Sequence, residues 1–99
     1  MSTRTEEETE LLLATPKEYK VLLLNDDYST MDFVVNILMS IFYKTYEQSE
    51  SIMIEVHKKG KGLCGIYSYE IAETKVEEVH KKAKDAGFPL KAVIEESEI

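Results

Sequence analysis

An abrupt change of pattern between residues 19 and 42 is the feature that most constrains the fold. Tyr19–Leu24 is rich in strand-forming residues and stops at Asn25-Asp26-Asp27, a run that favours a turn. Ser29 and Asp32 then fit a capping box, which predicts a helix that begins behind Ser29. This helix carries an amphipathic stripe at i, i+3, i+4, i+7 and i+8: Val34, Ile37, Leu38, Ile41 and Phe42. A strand, a polar loop and a helix must therefore follow one another directly.

The remaining pattern predicts a second helix, a strand, a third helix and a last strand. Thr45 and Gln48 form another capping box, and we expect the helix that they open to end at Gly60. A strand from Gly62 to Ser68 follows. The third helix ends at Gly87 and has a stripe of small residues: Ala72, Val76, Val79, Ala83 and Ala86. The last strand alternates, with Leu90, Ala92 and Ile94 on one side. The order strand-helix-helix-strand-helix-strand indicates an α+β domain with helices packed on one face of a small sheet.

Length and charge limit what this domain can do. The chain has 99 residues and a formal net charge of −7, which allows one small domain and excludes a multidomain enzyme. The acidic balance argues against nucleic acid as a partner, because phosphate binding needs a basic surface. We expect neither a membrane span nor a secretory signal, because no apolar run approaches roughly 18–20 residues. Cys64 is the only cysteine, which excludes an intramolecular disulfide and indicates the reducing cytoplasm.

The chain divides into two parts. Residues 1–16 are polar and acidic at first, with four glutamates against Arg4, and then contain the block Leu11-Leu12-Leu13. Three leucines in a row match neither helical nor strand periodicity, so we expect a flexible N-terminal extension. Residues 17–99 form the predicted domain.

Few residues of the domain could carry chemistry. Asn25-Asp26-Asp27 is either a turn or a group of acceptors for a cation, and His57 is either a boundary residue of its helix or a hydrogen-bond acceptor. We expect Cys64 to be a buried small apolar residue and His80 to lie at the surface. No nucleophile–base set, phosphate loop or spaced metal site is recognisable. These residues indicate a binding module. The alternatives are a metal-dependent enzyme that uses Asp26, Asp27 and His57, and a structural or ribosome-associated module of the same fold.

Several segments in combination resemble the ClpS family, the adaptors that deliver N-end-rule substrates to the ClpA–ClpP protease. They run from the strand and its Asn-Asp-Asp loop to the Pro-Leu pair before the last strand: residues 19–34, Val56-His57, residues 63–66, residues 72–76 and residues 88–90. The resemblance implies a three-stranded antiparallel sheet with three helices, a fold related to the C-terminal domain of the ribosomal stalk protein. It also implies an adaptor that is not an enzyme and needs no metal or other cofactor.

The resemblance further implies a binding site for a substrate N-terminus that begins with Leu, Phe, Tyr or Trp. The α-ammonium group would bind Asn25, Asp26 and His57. The side-chain pocket would consist of Ser29, Met31, Val34, Met53, Val56 and Leu90. Glu70 and Lys75 would dock on the N-terminal domain of a ClpA-type unfoldase, and residues 1–16 would help to hand the substrate over. We expect a monomer that binds N-degron peptides and proteins but neither nucleic acid nor membranes.

One departure from the family concerns the loop that positions Met31. Family members often carry Thr-Pro where this chain has Ser29-Thr30. The missing proline removes a fixed φ angle, which predicts a looser loop. The resemblance also places Met31 at the mouth of the pocket, where it would exclude β-branched side chains.

Overall fold

The structure, a computed structural model, describes residues 17–97. Its elements are β1 (Tyr19–Leu24), α1 (Met31–Ser40), α2 (Tyr46–Lys59), β2 (Lys61–Tyr67), α3 (Tyr69–Ala86) and β3 (Lys91–Glu96). The predicted α+β class and element order are confirmed. Within the described residues, no helix is both long and apolar enough to cross a membrane. The predicted extension, residues 1–16, lies outside the described part.

The sheet has the order β2-β1-β3, and both pairings are antiparallel. The central strand is therefore β1, with Leu23 opposite Gly62 on one side and Ala92 on the other. Val21 and Leu23 are completely buried and pack with the apolar residues of the helices. The core thus lies between one face of the sheet and the three helices.

The start of α1 differs from the prediction. The N-cap is Thr30 rather than Ser29: the Thr30 hydroxyl accepts the backbone N–H of Phe33 at 3.1 Å. The Ser29 hydroxyl instead donates to the Asp26 carboxylate. Either hydroxyl could act as the N-cap of a helix. The Ser29 hydroxyl is bound to Asp26, so Thr30 caps α1.

The two ends of α2 agree with the prediction. Thr45 and Gln48 form the complete capping box, and Gly60 ends the helix in the left-handed region at φ +88°. The Gly60 carbonyl accepts the backbone N–H of Asn25 at 2.9 Å. The end of α2 is thereby attached to the loop that follows β1.

The stripe of α3 is shorter than predicted. Ala72, Val79 and Ala83 are buried, whereas Ala86, in the last turn, is exposed. The expectation that His80 lies at the surface holds for its exposure, but its Nε2 accepts the backbone N–H of Ala92 at 3.1 Å. Since β3 is an edge strand, His80 satisfies a donor that no neighbouring strand of the sheet reaches.

A substitution at Ser49 can test how α2 packs against the core. It is completely buried, and its hydroxyl has no hydrogen-bond partner among residues 17–97. A buried hydroxyl without a partner is destabilising, so Ser49→Ala should raise the free energy of unfolding by about 1 kcal/mol in urea denaturation. Ser51→Ala, at an exposed position of the same helix, is the control for helix propensity alone. Loss of stability in Ser49→Ala relative to this control would contradict the packing described.

Candidate functional site

A cavity of about 240 Å³ opens between the loop after β1 and the two helices that follow. One wall is polar and comes from the loop and from the last turn of α2. The other is apolar and comes from the facing sides of α1 and α2. The lining residues are Asn25, Asp26, Asp27, Ser29, Met31, Val34, Met53, Val56 and His57.

The Asp26 carboxylate holds the loop in shape. Its Oδ1 accepts the backbone N–H groups of Tyr28 at 2.8 Å and Ser29 at 2.6 Å, and its Oδ2 accepts the Ser29 hydroxyl at 2.7 Å. Partial burial acts to raise the pKa of Asp26, but the hydrogen bonds from Ser29 and Tyr28 outweigh it, and the pKa lies below its ordinary value. The carboxylate is therefore charged at neutral pH.

These contacts bear on the predicted loosening of the loop. Ser29 is fixed through both its N–H and its hydroxyl, and Thr30, at the position of the frequent proline, caps α1. On the other side, the N–H of Asn25 is bound to Gly60. Hydrogen bonds at both ends thus constrain the loop where the fixed φ angle of proline is missing.

The residues of the apolar wall become more exposed from the base of the cavity to its entrance. Val34 and Val56 are 6% and 4% exposed and belong to the core. Met53 is half-buried and packs against the core, whereas Met31 is 56% exposed at the first position of α1. A guest side chain in this cavity would touch core residues at its base and Met31 at its entrance.

Sequence reasoning placed one cavity residue outside the proposed binding set. Asp27 belonged to the predicted acceptor run and to the metal-site alternative but not to the ammonium-binding set, yet it lines the cavity beside Asn25 and Asp26, is exposed, and accepts no hydrogen bond from residues 17–97. Its place in the same acceptor run was the available signal. Leu90 is the one predicted pocket residue that does not line this cavity: it is 3% exposed and lies in the core.

The alternative metal site finds no support in the geometry. Among residues 17–97, no group of three or more His, Cys, Asp or Glu side chains is placed to hold a metal ion. Cys64 is completely buried, as expected, and burial raises the pKa of its thiol to about 12. That thiol is protonated at neutral pH and unsuited to nucleophilic chemistry.

The two predicted docking residues lie on α3, away from the cavity. Glu70 is exposed in the first turn. The Lys75 ammonium donates to the Ile41 carbonyl at 2.7 Å and lies 4.6 Å from the centre of the Tyr43 ring. Lys75 therefore binds a carbonyl at the end of α1, where a cation complements the helix dipole.

A small α+β domain that presents a cavity with one acceptor wall and one apolar wall is a binding module. The family model described as "ATP-dependent Clp protease adaptor protein ClpS" matches residues 14–93. This chain belongs to the ClpS family of protease adaptors.

Relatives and a solved structure agree with this assignment. The ATP-dependent Clp protease adapter protein ClpS of Wolinella succinogenes is 55% identical over 92 residues, which cover 93% of this chain and 90% of the relative. That of Campylobacter jejuni subsp. doylei is 51% identical over 97% of this chain and 98% of its own length. The structure of Agrobacterium tumefaciens ClpS2 bound to L-phenylalaninamide has a TM-score of 0.81 and 37% identity, and covers 84% of this chain and 100% of its own.

Asp26→Ala tests whether the carboxylate holds the loop. The variant loses three hydrogen bonds, so the free energy of unfolding at neutral pH should fall by about 1–2 kcal/mol. In the folded protein the pKa of Asp26 lies below its ordinary value of 3.8. The carboxylate therefore stabilises the fold above pH 3.8, and this stabilisation is lost as the pH falls through the lower pKa of the folded protein. The difference in the free energy of unfolding between Asp26→Ala and wild type should therefore become smaller in acid.

Asp27→Ala is the matched control, since its carboxylate accepts no hydrogen bond within residues 17–97, and its stability should stay near that of wild type. Equal stability of Asp26→Ala and Asp27→Ala at neutral pH would contradict the role of Asp26.

Proposed function

We propose that this chain binds protein N-termini that carry a free α-ammonium group and a bulky apolar first side chain, namely Leu, Phe, Tyr or Trp, and delivers them to a ClpA-type unfoldase. The observation that carries the proposal is the pairing of an acceptor wall and an apolar wall in one cavity. The Agrobacterium relative supports it, because L-phenylalaninamide has the ammonium group and the side chain of a first residue.

The polar wall suits an ammonium group. An ammonium has three donors, and the Asn25 carbonyl, the Asp26 carboxylate and a neutral His57 nitrogen are acceptors around the same space. Asp26 uses three of its lone pairs within the loop, which leaves roughly one for a ligand. Asp27 adds a second negative charge beside it. Hydrogen bonds that involve a charged group contribute about 1.5–3 kcal/mol each.

The apolar wall suits a large first side chain. Burial of a Leu or Phe side chain against Val34, Met53 and Val56 would contribute roughly 1.5–3 kcal/mol. Association costs at least about 4 kcal/mol of translational and rotational freedom. The side-chain term alone does not offset this cost, and the three hydrogen bonds of the polar wall together are about as large as the cost, so we expect useful affinity to require both the ammonium group and the side chain.

Delivery needs a second surface that stays available when a substrate is bound. Glu70 and Lys75 on α3 are our candidates for docking on the N-terminal domain of the unfoldase. Neither lines the cavity, so an adaptor can hold both partners at once. Glu70 is the exposed member, whereas Lys75 also stabilises the end of α1. Residues 1–16 are our candidate for the segment that the unfoldase engages during transfer.

Acetylation of a substrate N-terminus tests the recognition step. A labelled peptide that begins with Phe should bind, and its N-acetylated copy should bind at least about 100-fold more weakly in fluorescence anisotropy, because the charge and two donors are lost. Asp26→Asn and Asp27→Asn, which remove one charge each, should both weaken binding of the free peptide. Equal affinity for the free and acetylated peptides would contradict the proposal.

Met31→Ala tests selection among first residues. The Met31 side chain stands at the entrance of the cavity, where it would clash with a branched Cβ. The variant should bind Ile- and Val-initiated peptides that wild type rejects, with little change for Phe. Met39→Ala, at another exposed position of α1, is the control and should keep wild-type selection. If Met31→Ala still rejects Ile and Val, the exclusion comes from another residue.

Removal of residues 1–16 separates binding from delivery. The residues that line the first cavity lie between Asn25 and His57, outside the extension, so the truncated chain should keep its affinity for Phe-initiated peptides and its docking on the unfoldase. It should fail to promote degradation of a Phe-initiated reporter by a reconstituted ClpA–ClpP protease. Glu70→Arg is the complementary control: it should bind peptide normally and lose docking. A wild-type degradation rate from the truncated chain would show that the extension is dispensable.

A further inference from the structure

A second cavity, of about 370 Å³, lies against the other flank of the same loop. It shares residues 25–27 with the first cavity, and its remaining walls are Leu24, Tyr28, Pro89 and Lys91. These come from the end of β1, the rest of the loop and the segment that leads into β3. Residues 25–27 thus line both cavities, and the walls that the two cavities do not share come from different elements.

Tyr28 is a large, exposed residue that lines this second cavity. Its side chain is 76% exposed, whereas its backbone N–H is held by Asp26 Oδ1 at 2.8 Å. A large aromatic ring on a fixed backbone offers contact area at a low cost in conformational entropy. With Leu24 and Pro89 it forms an apolar surface, and the charges around it, Asp26 and Asp27 against Lys91, leave a small negative excess.

The direction of an extended peptide connects the two cavities. Successive side chains of an extended chain point to opposite sides, so a first side chain directed into the apolar wall leaves the second directed away from α1 and α2. One residue advances the chain by about 3.3–3.6 Å, and the shared loop is only three residues, 25–27, long. Because residues 25–27 line both cavities, a second side chain that points away from the helices is directed toward the cavity that Tyr28 lines.

We infer that this flank, formed by Leu24, Tyr28 and Pro89, binds the second side chain of the peptide whose ammonium group lies in the first cavity. The inference rests on the proposed function. It adds a preference to it: an apolar or aromatic second residue binds more tightly than a small polar one.

Two labelled peptides that differ only in the second residue, Phe-Leu and Phe-Ser at their start, test the inference. Wild type should bind the Phe-Leu peptide about fivefold more tightly, as expected for partial burial of one Leu side chain. In Tyr28→Ala this ratio should fall to about 1, and Tyr28→Phe should restore it. Tyr43→Ala, which removes a tyrosine that is 80% exposed and lines neither cavity, should keep the wild-type ratio.

Each outcome decides between the inference and the function on which it rests. An affinity ratio near 1 in wild type, or an unchanged ratio in Tyr28→Ala, would overturn the second binding site. In either case, binding of both peptides to wild type would still support the proposed function. Failure of both peptides to bind wild type overturns the proposed function and the second site with it.

Discussion

The Asp26 carboxylate makes the contacts on which the rest of the site depends. It accepts two backbone N–H groups and one hydroxyl within three residues, and so closes the turn between the central strand and α1. The turn places Asn25, Asp26 and Asp27 along the cavity, and it leaves the Tyr28 ring exposed. Without these hydrogen bonds, the loop would become ordered only on binding, and the entropy lost in ordering it would weaken the affinity.

Helix ends determine what faces this loop. Gly60 ends α2 and accepts the N–H of Asn25, which brings His57 beside the acceptor wall. Thr30 starts α1, so that Met31 stands at the entrance and Val34 lies at the base. A small domain has little interior, and here Val34 and Val56 belong to the core and to the cavity wall at the same time. Glu70 and Lys75 on α3 do not line this cavity, which is what the proposed docking on a second partner requires.

The sequence predicts the elements of this fold well because their signals are local: hydrophobic periodicity, capping boxes and the glycines at helix ends. It does not predict the strand order β2-β1-β3, since pairing depends on contacts between distant residues. Ser29 and Thr30 both match the start signal of α1, and only the contact with Asp26 separates them. The roles of His80 and Lys75 depend on tertiary neighbours, Ala92 and Ile41, that local spacing does not reveal. The resemblance to ClpS supplied the ligand chemistry, which composition and periodicity do not contain.

Asp26 holds the loop in shape before any ligand binds. The most direct test of this role is an NMR titration of the ligand-free protein, in which the backbone amide signals of Tyr28 and Ser29 are followed into acid. Both signals should shift together, with one apparent pKa below the ordinary aspartate value of 3.8. Signals that do not respond to pH, or that titrate at or above this value, would show that the carboxylate does not hold these amides in the free protein.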